Sequence, residues 1–332
     1  MRVAIVTNSD FNGVISRFGQ PCPHPPERSI PEDVVAALQQ GGHETLLCEG
    51  DKGLLAAIER FMPTGPQGGP LGMAFNLAEG IQGEKRETHV AAMLEMAGVP
   101  YTGSGPLGIG LTCDKVVTKM LIRDKGVPTP NFRIMRRGTE SAAGLQFPVV
   151  VKPRHEGASL GLQLVYEHSK LKEAVEVIAT QYGQDALVEE YIEGREICVG
   201  LLGNEELEVL PVVEMNFGDR ETRLMDWDAK FVPAAAVPTI CPAQIESRLE
   251  TTLRDISVAT FRACHCRDYA RLDFRLDRSG QPFVLEMNSP AGLNMHYSDL
   301  VVAARTAGYT YSSLINHILD IAHIRCFGFG IP

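Results

Sequence analysis

Arg271, Asp273, Glu286 and Asn288 are the residues whose types and spacing most clearly allow chemistry. They fall in two stretches, Arg271-Leu272-Asp273 and Glu286-Met287-Asn288, separated by the turn signal Asp277-Arg278-Ser279-Gly280. The flanking runs, 269–276 and 282–287, alternate enough to predict a β-hairpin. Residues two apart on a strand share a face, and an even-length hairpin loop brings both pairs to one side. That gathers three oxygen donors, two of them carboxylates, beside a guanidinium. Hard oxygen donors suit magnesium, which completes its shell with phosphate oxygens and water. The same spacing also fits a salt-bridge ladder on a solvated strand, which contributes little.

A second group lies upstream. Val149-Val150-Val151-Lys152-Pro153 places a lysine at the end of a buried strand, and Glu156-Gly157-Ala158-Ser159-Leu160-Gly161 follows. Glycines let backbone N–H groups approach an anion, and a neighbouring lysine adds a point charge. This is phosphate-binding chemistry, although it matches neither a P-loop nor a GxGxxG fingerprint, and an ordinary glycine-rich turn reads the same way. Leu187-Val188-Glu189-Glu190-Tyr191-Ile192 is an apolar strand running into an acidic segment, suited to an adenine edge, with Glu196 in reach of ribose hydroxyls. Lys115 is a second lysine, on a predicted helix.

The elements that must position these groups read as α/β. Residues 1–103 alternate as βα units: strands at 2–7, 46–48 and 73–77, helices at 32–42, 52–62 and 84–97, and a polar, proline-rich insert at 8–31. Thr102-Gly103-Ser104-Gly105-Pro106 punctuates the chain. A helix at 113–125 and a small α+β piece to 186 follow, then longer antiparallel strands over 187–332. The expected organisation is therefore three subdomains, 1–103, 104–186 and 187–332.

Composition narrows the function classes. With 332 residues, 44% hydrophobic and 22% charged, the chain is an ordinary globular protein of two or three domains. A net charge of −10 argues against nucleic acid as a partner. No apolar run has the length of a membrane span, and the N-terminus lacks a signal-peptide pattern, so no membrane partner and a cytoplasmic location are expected. The eight cysteines are scattered, and Cys264-His265-Cys266 reads as a helix end with buried thiols rather than a zinc site.

The order of these motifs resembles the ATP-grasp enzymes, and within them the D-alanine–D-alanine ligase family. The matching stretches are Pro100-Tyr101-Thr102-Gly103-Ser104-Gly105, Asp114-Lys115 with Lys119, the runs 148–152 and 156–161, Gly194-Arg195-Glu196, Asp226-Trp227-Asp228-Ala229-Lys230-Phe231, Cys241-Pro242-Ala243, Arg271-Leu272-Asp273-Phe274 and Glu286-Met287-Asn288. The resemblance implies a fold with ATP clamped between the central and C-terminal pieces. It implies a ligase that activates a carboxylate as an acyl phosphate and couples it to an amino acid, releasing ADP and phosphate. Lys115, Lys152 and the turn containing Glu156, Gly157, Ser159 and Gly161 would hold the phosphates. Glu189, Tyr191 and Ile192 would meet adenine, and Glu196 the ribose. Asp273, Glu286 and Asn288 would carry two magnesium ions, with manganese as a substitute. Arg271, Lys230 and Ser159 would be catalytic, Arg271 by neutralising the oxyanion and Lys230 from a mobile loop. A homodimer is also implied.

The departures from the family pattern fall on the substrate pocket. The loop after the first strand reads Asn8-Ser9-Asp10-Phe11 where a glutamate is usual, with Glu27 and Glu32 further on as substitutes. Glu79-Gly80 replaces a histidine-glycine, Ala158 a serine and Phe231 a tyrosine. The region that grips the acceptor carboxylate reads Gly292-Leu293-Asn294, then His296-Tyr297-Ser298, with Tyr297 or Ser298 at the place of a serine. In the family that glutamate, serine and tyrosine form a buried polar triad, useful only when complete, so its coordinated loss points to other substrates, such as amino-acid ligation in specialised metabolism of the mycosporine type. Standing beside that reading are a genuine D-alanine–D-alanine or D-alanine–D-hydroxy acid ligase, and a catalytically silent ATP-binding protein.

Overall fold

The computed structural model describes residues 1–8, 29–65, 71–232, 235–328 and 331. β1 (Arg2–Thr7) pairs in parallel with both β2 (Glu44–Glu49) and β3 (Gly72–Asn76), so it is the central strand of the first sheet. Its β-branched run is buried from Val3 to Val6, as a parallel strand covered on both faces requires. Helices α1 (Ser29–Gln40), α2 (Leu54–Phe61) and α3 (His89–Met96) cover it. The helix expected over 84–97 is split, its first turn being a 3-10 segment at Arg86–Thr88.

The helix expected at 113–125 is α5 (Lys115–Asp124), and a further helix not expected, α4 (Pro106–Cys113), precedes it. Asp114 breaks them. Its backbone is extended, and its carboxylate accepts from Val116 N and Val117 N as the cap of α5. Pro106 stands in the first turn of α4, where the missing N–H is no loss.

The second sheet is antiparallel, in the order β4 (Phe132–Met135), β7 (Ala186–Glu190), β5 (Val149–Pro153), β6 (Gln163–Val165), backed by α6 (His168–Tyr182). A boundary between 186 and 187 would cut β7, which pairs with β4 and β5 through Glu190, so this sheet runs four residues further than expected.

The third sheet runs β11 (Thr239–Ile240), β10 (Val213–Met215), β8 (Gly194–Gly203), β12 (Tyr269–Asp277), β13 (Pro282–Asn288), with β9 (Leu207–Val209) also on β8. α7 (Trp227–Phe231) lies in the connection before β11. One face packs on α8 (Ser247–Ala263) through Leu272, Phe274, Leu276, Val284, Met287, Leu253 and Phe261. Cys264 and Cys266 are buried at the end of α8, where burial alone raises the Cys264 thiol to about 12. α9 (Asp299–Thr306) and α10 (Tyr311–Phe327) close the chain. α10 returns to the first sheet, so Leu314, Ile315 and Ile318 share a core with Val3, Ile5, Leu38 and Phe75.

The hairpin corrects the expectation drawn from its turn. Leu276 pairs with Pro282 and Phe274 with Val284, a register that encloses an odd number of loop residues. Continued unchanged, it would set Asp273 against Leu285 and send Glu286 into the α8-packed core. A bulge between Asp273 and Phe274 takes up Leu285 as an extra residue. Beyond it Asp273 pairs with Glu286 and Arg271 with Asn288. The bulge, not the loop length, puts the charged pairs on one face.

Candidate active site

The face of the third sheet away from α8 carries a row of charges on β12. Arg275, Asp273 and Arg271 alternate along it at about 7 Å steps, opposite Glu196, Cys198 and Gly200 of β8. A cleft between this face and the second sheet is lined by Lys115, Lys152, Gly157, Ser159, Glu189, Tyr191, Ile192, Glu196, Lys230, Asp273, Arg275 and Glu286, among others.

At one end, buried Arg275 joins three segments. It donates to Ile192 O (2.9 Å), Glu196 Oε2 (3.0 Å), Tyr191 Oη (2.9 Å) and Arg223 O (2.8 Å), and its guanidinium lies 4.8 Å from the Tyr191 ring centre. Burial raises the Glu196 carboxyl, against the pull of Arg275. Tyr191 Oη also donates to Arg223 O (2.9 Å).

In the middle, Lys152 Nζ lies 2.6 Å from Glu189 Oε1 and Lys119 Nζ 2.7 Å from Oε2. The carboxylate expected at the adenine amino group is thus engaged by two lysines. The Lys119 contact is an ion pair off the line of a hydrogen bond, which leaves Oε2 acceptor capacity. Burial pushes Lys119 down to about 8, while Glu189 pulls the other way. Burial also works against Lys152, but Glu189 and Glu286 outweigh it and raise its pKa. For Glu286, burial is overcome by Lys115, Lys152, Lys230 and Arg271, which hold the carboxyl down at about 2.

Asp114 ties the segments that carry Lys115 and Lys152 into one unit. Besides capping α5, whose first residue is Lys115, it takes a bidentate contact from Arg154 (2.8 and 2.7 Å), two residues beyond Lys152. Lys115 N in turn donates to Arg154 O, and His155 Nε2 and Lys85 Nζ lie 3.4 and 3.5 Å from the same carboxylate. Burial would raise Asp114, yet His155, Arg154, the helix amides and Lys85 hold it well below the usual carboxylate range.

The glycine turn is anchored by its own glutamate. The Glu156 carboxylate is held by Arg86 Nη2 (3.0 Å) and Gln184 Nε2 (2.6 Å), while Lys115 Nζ donates to Glu156 O. Ala158 and Ser159 adopt φ of 51° and 59°, a left-handed pair unusual without glycine. Ser159 Oγ donates to Met225 O (2.6 Å), tying the turn to the segment that leads into α7. Asp226 caps α7 through Ala229 N (2.9 Å), which sets half-buried Lys230 at the cleft. Lys230 therefore stands on a short helix rather than an irregular loop.

Further along β12, beyond the residues that line the cleft, Arg271 grips Asp273 with Nε (2.6 Å) and Nη2 (2.8 Å), and Asn288 Nδ2 donates to Asp273 Oδ2 (2.9 Å). Arg271 Nη1 lies 3.6 Å from Asp299 Oδ2. Gly200, the β8 partner of Arg271, makes this meeting feasible. A Cβ there would sit 2.6 Å from Leu300 Cδ1, so α9 comes down on the strand only because none is present. Burial raises the Asp299 carboxyl, partly offset by Arg271.

The donor set fits magnesium. Asp273 and Glu286 are cross-strand partners, the Asn288 amide supplies a third oxygen, and phosphate and water would complete the shell. Among the described residues no group of three or more His, Cys, Asp or Glu is gathered for a metal.

Four expected substrate residues do not line this cleft. Glu79 is exposed after β3, Gly292 is exposed, Tyr297 is 46% exposed, and Ser298 is buried as the residue before α9. Ser9, Asp10, Phe11, Glu27 and the Phe231 side chain lie outside the described residues, and Glu32 is exposed in the first turn of α1. Sequence reasoning passed over Arg275, Asp299 and the Asp114 hub. Arg275 was legible as the next same-face residue after Asp273, and Asp114 as a helix-start signal. Asp299 left no local sign, because its partner is 28 residues away on another element.

The fold is similar to that of the solved D-alanine–D-alanine ligase of Bacillus anthracis complexed with ATP over 98% of both chains, with a TM-score of 0.75 at 23% identity. That likeness defines the class: the fold is ATP-grasp. The family model "D-ala D-ala ligase C-terminus" matches residues 121–320. The D-alanine–D-alanine ligase of Pelotomaculum thermopropionicum is 34% identical over 76% of this chain and 81% of its own length. That of Geobacter sulfurreducens is 31% identical over 90% and 89%. The uncharacterized protein y4sG of Sinorhizobium fredii is 68% identical over 100% and 99%. The chain belongs to the D-alanine–D-alanine ligase family. It is an ATP-dependent ligase that forms a carbon–nitrogen bond and releases ADP and phosphate, in a family that uses ATP with Mg2+. No helix of the described residues is long and apolar enough to cross a membrane.

Proposed function

We propose that this ligase activates a carboxylate as an acyl phosphate and couples it to an amine, with a substrate pair other than two D-alanines. The observation that carries the reading is the β12 row. It sets Arg275 and Glu196 at one end, Asp273 and Glu286 in the middle, and Arg271 beyond them, with Lys115 and Lys152 lining the same cleft. A nucleotide laid along the row has adenine against Tyr191 and Ile192, ribose at Glu196, and its phosphates between the lysines and the glycine turn at Gly157, Ser159 and Gly161. Asp273, Glu286 and Asn288 would hold magnesium, which neutralises phosphate charge when bound.

Phosphoryl transfer needs charge neutralisation and in-line placement more than covalent help. Lys115 and Lys152 supply fixed cations along the phosphates. The terminal phosphate then reaches the carboxylate beside Arg271, two residues past Asp273. Amine attack on the acyl phosphate makes an oxyanion, for which Arg271 is the nearest fixed cation. α7, latched through Ser159 and Met225, excludes water that would hydrolyse the acyl phosphate. An assembly of two copies belongs to the same proposal by family resemblance.

The test is ADP formation from ATP and Mg2+ across D- and L-amino acids, with products identified by mass. The expected result is ADP and a condensed product from a pair that is not D-alanine alone. D-alanine alone giving full turnover to its dimer would return the chain to standard ligase chemistry. ATP binding without ADP formation from any pair would leave a silent nucleotide binder.

A further inference from the structure

The β12 row works as a ruler. Ribose lies at Arg275, metal and phosphate at Asp273, so the acyl carbon and the incoming nitrogen lie at Arg271, about 7 Å further on. What surrounds that point decides which nucleophile it accepts. Arg271 is a fork of donors suited to gripping a carboxylate. Here Nε and Nη2 face Asp273, and Nη1 faces Asp299. Each of the three nitrogens is turned to a carboxylate of the protein.

Magnesium can draw Asp273 away from this fork. It does not remove Asp299, which sits on the other side of the guanidinium, in the first turn of a separate helix. The Asp299 side chain is 17% exposed, and α9 is held against β8 by the Leu300–Gly200 approach, so Asp299 cannot swing far from Arg271. The other charges that act on Asp299 are Asp273 and Lys230. With Nε and Nη2 given to the donor's reacting carboxylate, an acceptor carboxylate would find only Nη1, already paired with Asp299, and a fixed anion beside it.

We propose that Asp299 is a specificity-determining residue that turns the acceptor subsite against α-amino acids, so that the nucleophile is an amine with no carboxylate beside its reacting nitrogen. The acid repels such a carboxylate and attracts an ammonium or an uncharged amine arriving at the acyl end. This deepens the ligase reading and rests on it, and it narrows the amino-acid acceptor expected from the sequence.

The experiment is an acceptor competition. The intact protein, ATP and Mg2+ are given each amino acid together with an equal amount of its carboxamide, and ADP and product masses are measured. The carboxamide has no carboxylate to activate, so it serves only as acceptor. The amino acid–carboxamide product should exceed the amino-acid dimer at least about tenfold, the scale of a like-charge contact in a dehydrated site. Asp299→Asn should bring that ratio to within about twofold with the KM for ATP unchanged, and Asp299→Glu should keep the preference. Thermal melts of both variants check folding. A dominant dimer, or an Asp299→Asn ratio equal to that of the unaltered protein, overturns this inference and leaves the ligase reading standing. No ADP with any pair overturns both.

Discussion

At the end proposed for adenine the cleft is closed by its own hydrogen bonds. Arg275 alone ties Ile192, Glu196, Tyr191 and the backbone at Arg223, so the three groups proposed to meet a nucleotide are set before it arrives. At the acyl end the groups are set against one another. Arg271 is shared by two carboxylates, Tyr297 is 46% exposed, and the expected substrate residues Glu79 and Gly292 stand outside the cleft. The contrast separates two tasks. A nucleotide is the same for every ATP-dependent ligase, so its site can be rigid and preorganised. The acyl end is where one ligase differs from another, and a fixed charge such as Asp299 discriminates by repulsion as much as by attraction.

The largest expected effect breaks the shared end. Lys152 is buried, touches Glu189 and lies in the field of Glu286. Lys152→Ala removes a cation proposed to face the phosphates and leaves Glu189 leaning on Lys119 alone. ADP formation should fall by a factor on the order of a hundred to a thousand, the size of losing one preorganised charge contact. Circular dichroism should still report a folded chain. A folded variant with near-normal turnover would move the phosphate site elsewhere.

A smaller effect sharpens the difference between the ends. Arg275→Met keeps much of the buried volume but leaves Glu196 without its partner and frees the segment at Arg223. The KM for ATP should rise on the order of tenfold or more, while the acceptor ratio measured for Asp299 should hold. If the acceptor ratio moves and the KM for ATP does not, the assignment of the two ends along β12 is reversed.

How much of this was legible in the sequence follows from where each interaction lies. Lys152, the glycine turn and the Asp273–Glu286 pair were legible because each sits on one strand or one hairpin, and period-two spacing reports facing. The hairpin loop was read as even, and the side-chain facing came out right only because the bulge at Leu285 restores it. The bulge shows only in the structure, where Leu285 and Glu286 are successive half-buried residues although alternation should put one inside. The glutamate of the glycine turn was expected to help hold a nucleotide; it lines the cleft, and its carboxylate is held by Arg86 and Gln184, from opposite directions along the chain. Such partners come together only through tertiary packing, which spacing cannot show. Asp299 is the extreme case, since its meaning depends on Gly200 letting α9 approach.

Asp114 offers the finest test, because it shapes the nucleotide end without touching the reacting atoms. Asp114→Asn keeps an N-cap acceptor for Val116 and Val117 but removes the charge that holds Arg154 and Lys85. Arg154 and Lys85 are each partly exposed, so the loss should be modest, about 1–2 kcal/mol at neutral pH, with a small rise in the KM for ATP as Lys115 loosens from Lys152. The sign of the pH dependence is fixed by the depressed carboxyl. The unfolded chain binds this proton near pH 3.8 and the folded protein only well below that. The stabilisation is therefore complete above that value and is lost as pH falls toward the folded-state pKa. Urea melts of both proteins without Mg2+ from pH 6 to about pH 2.5 should show a constant gap above about pH 4.5 that narrows below about pH 3.8. Other depressed carboxyls such as Glu286 contribute the same slope to both proteins and cancel in the difference. A gap that stays constant to the acid limit would mean that Asp114 acts only as a helix cap, and that the two lysines are aligned by the Lys115–Arg154 backbone bond instead.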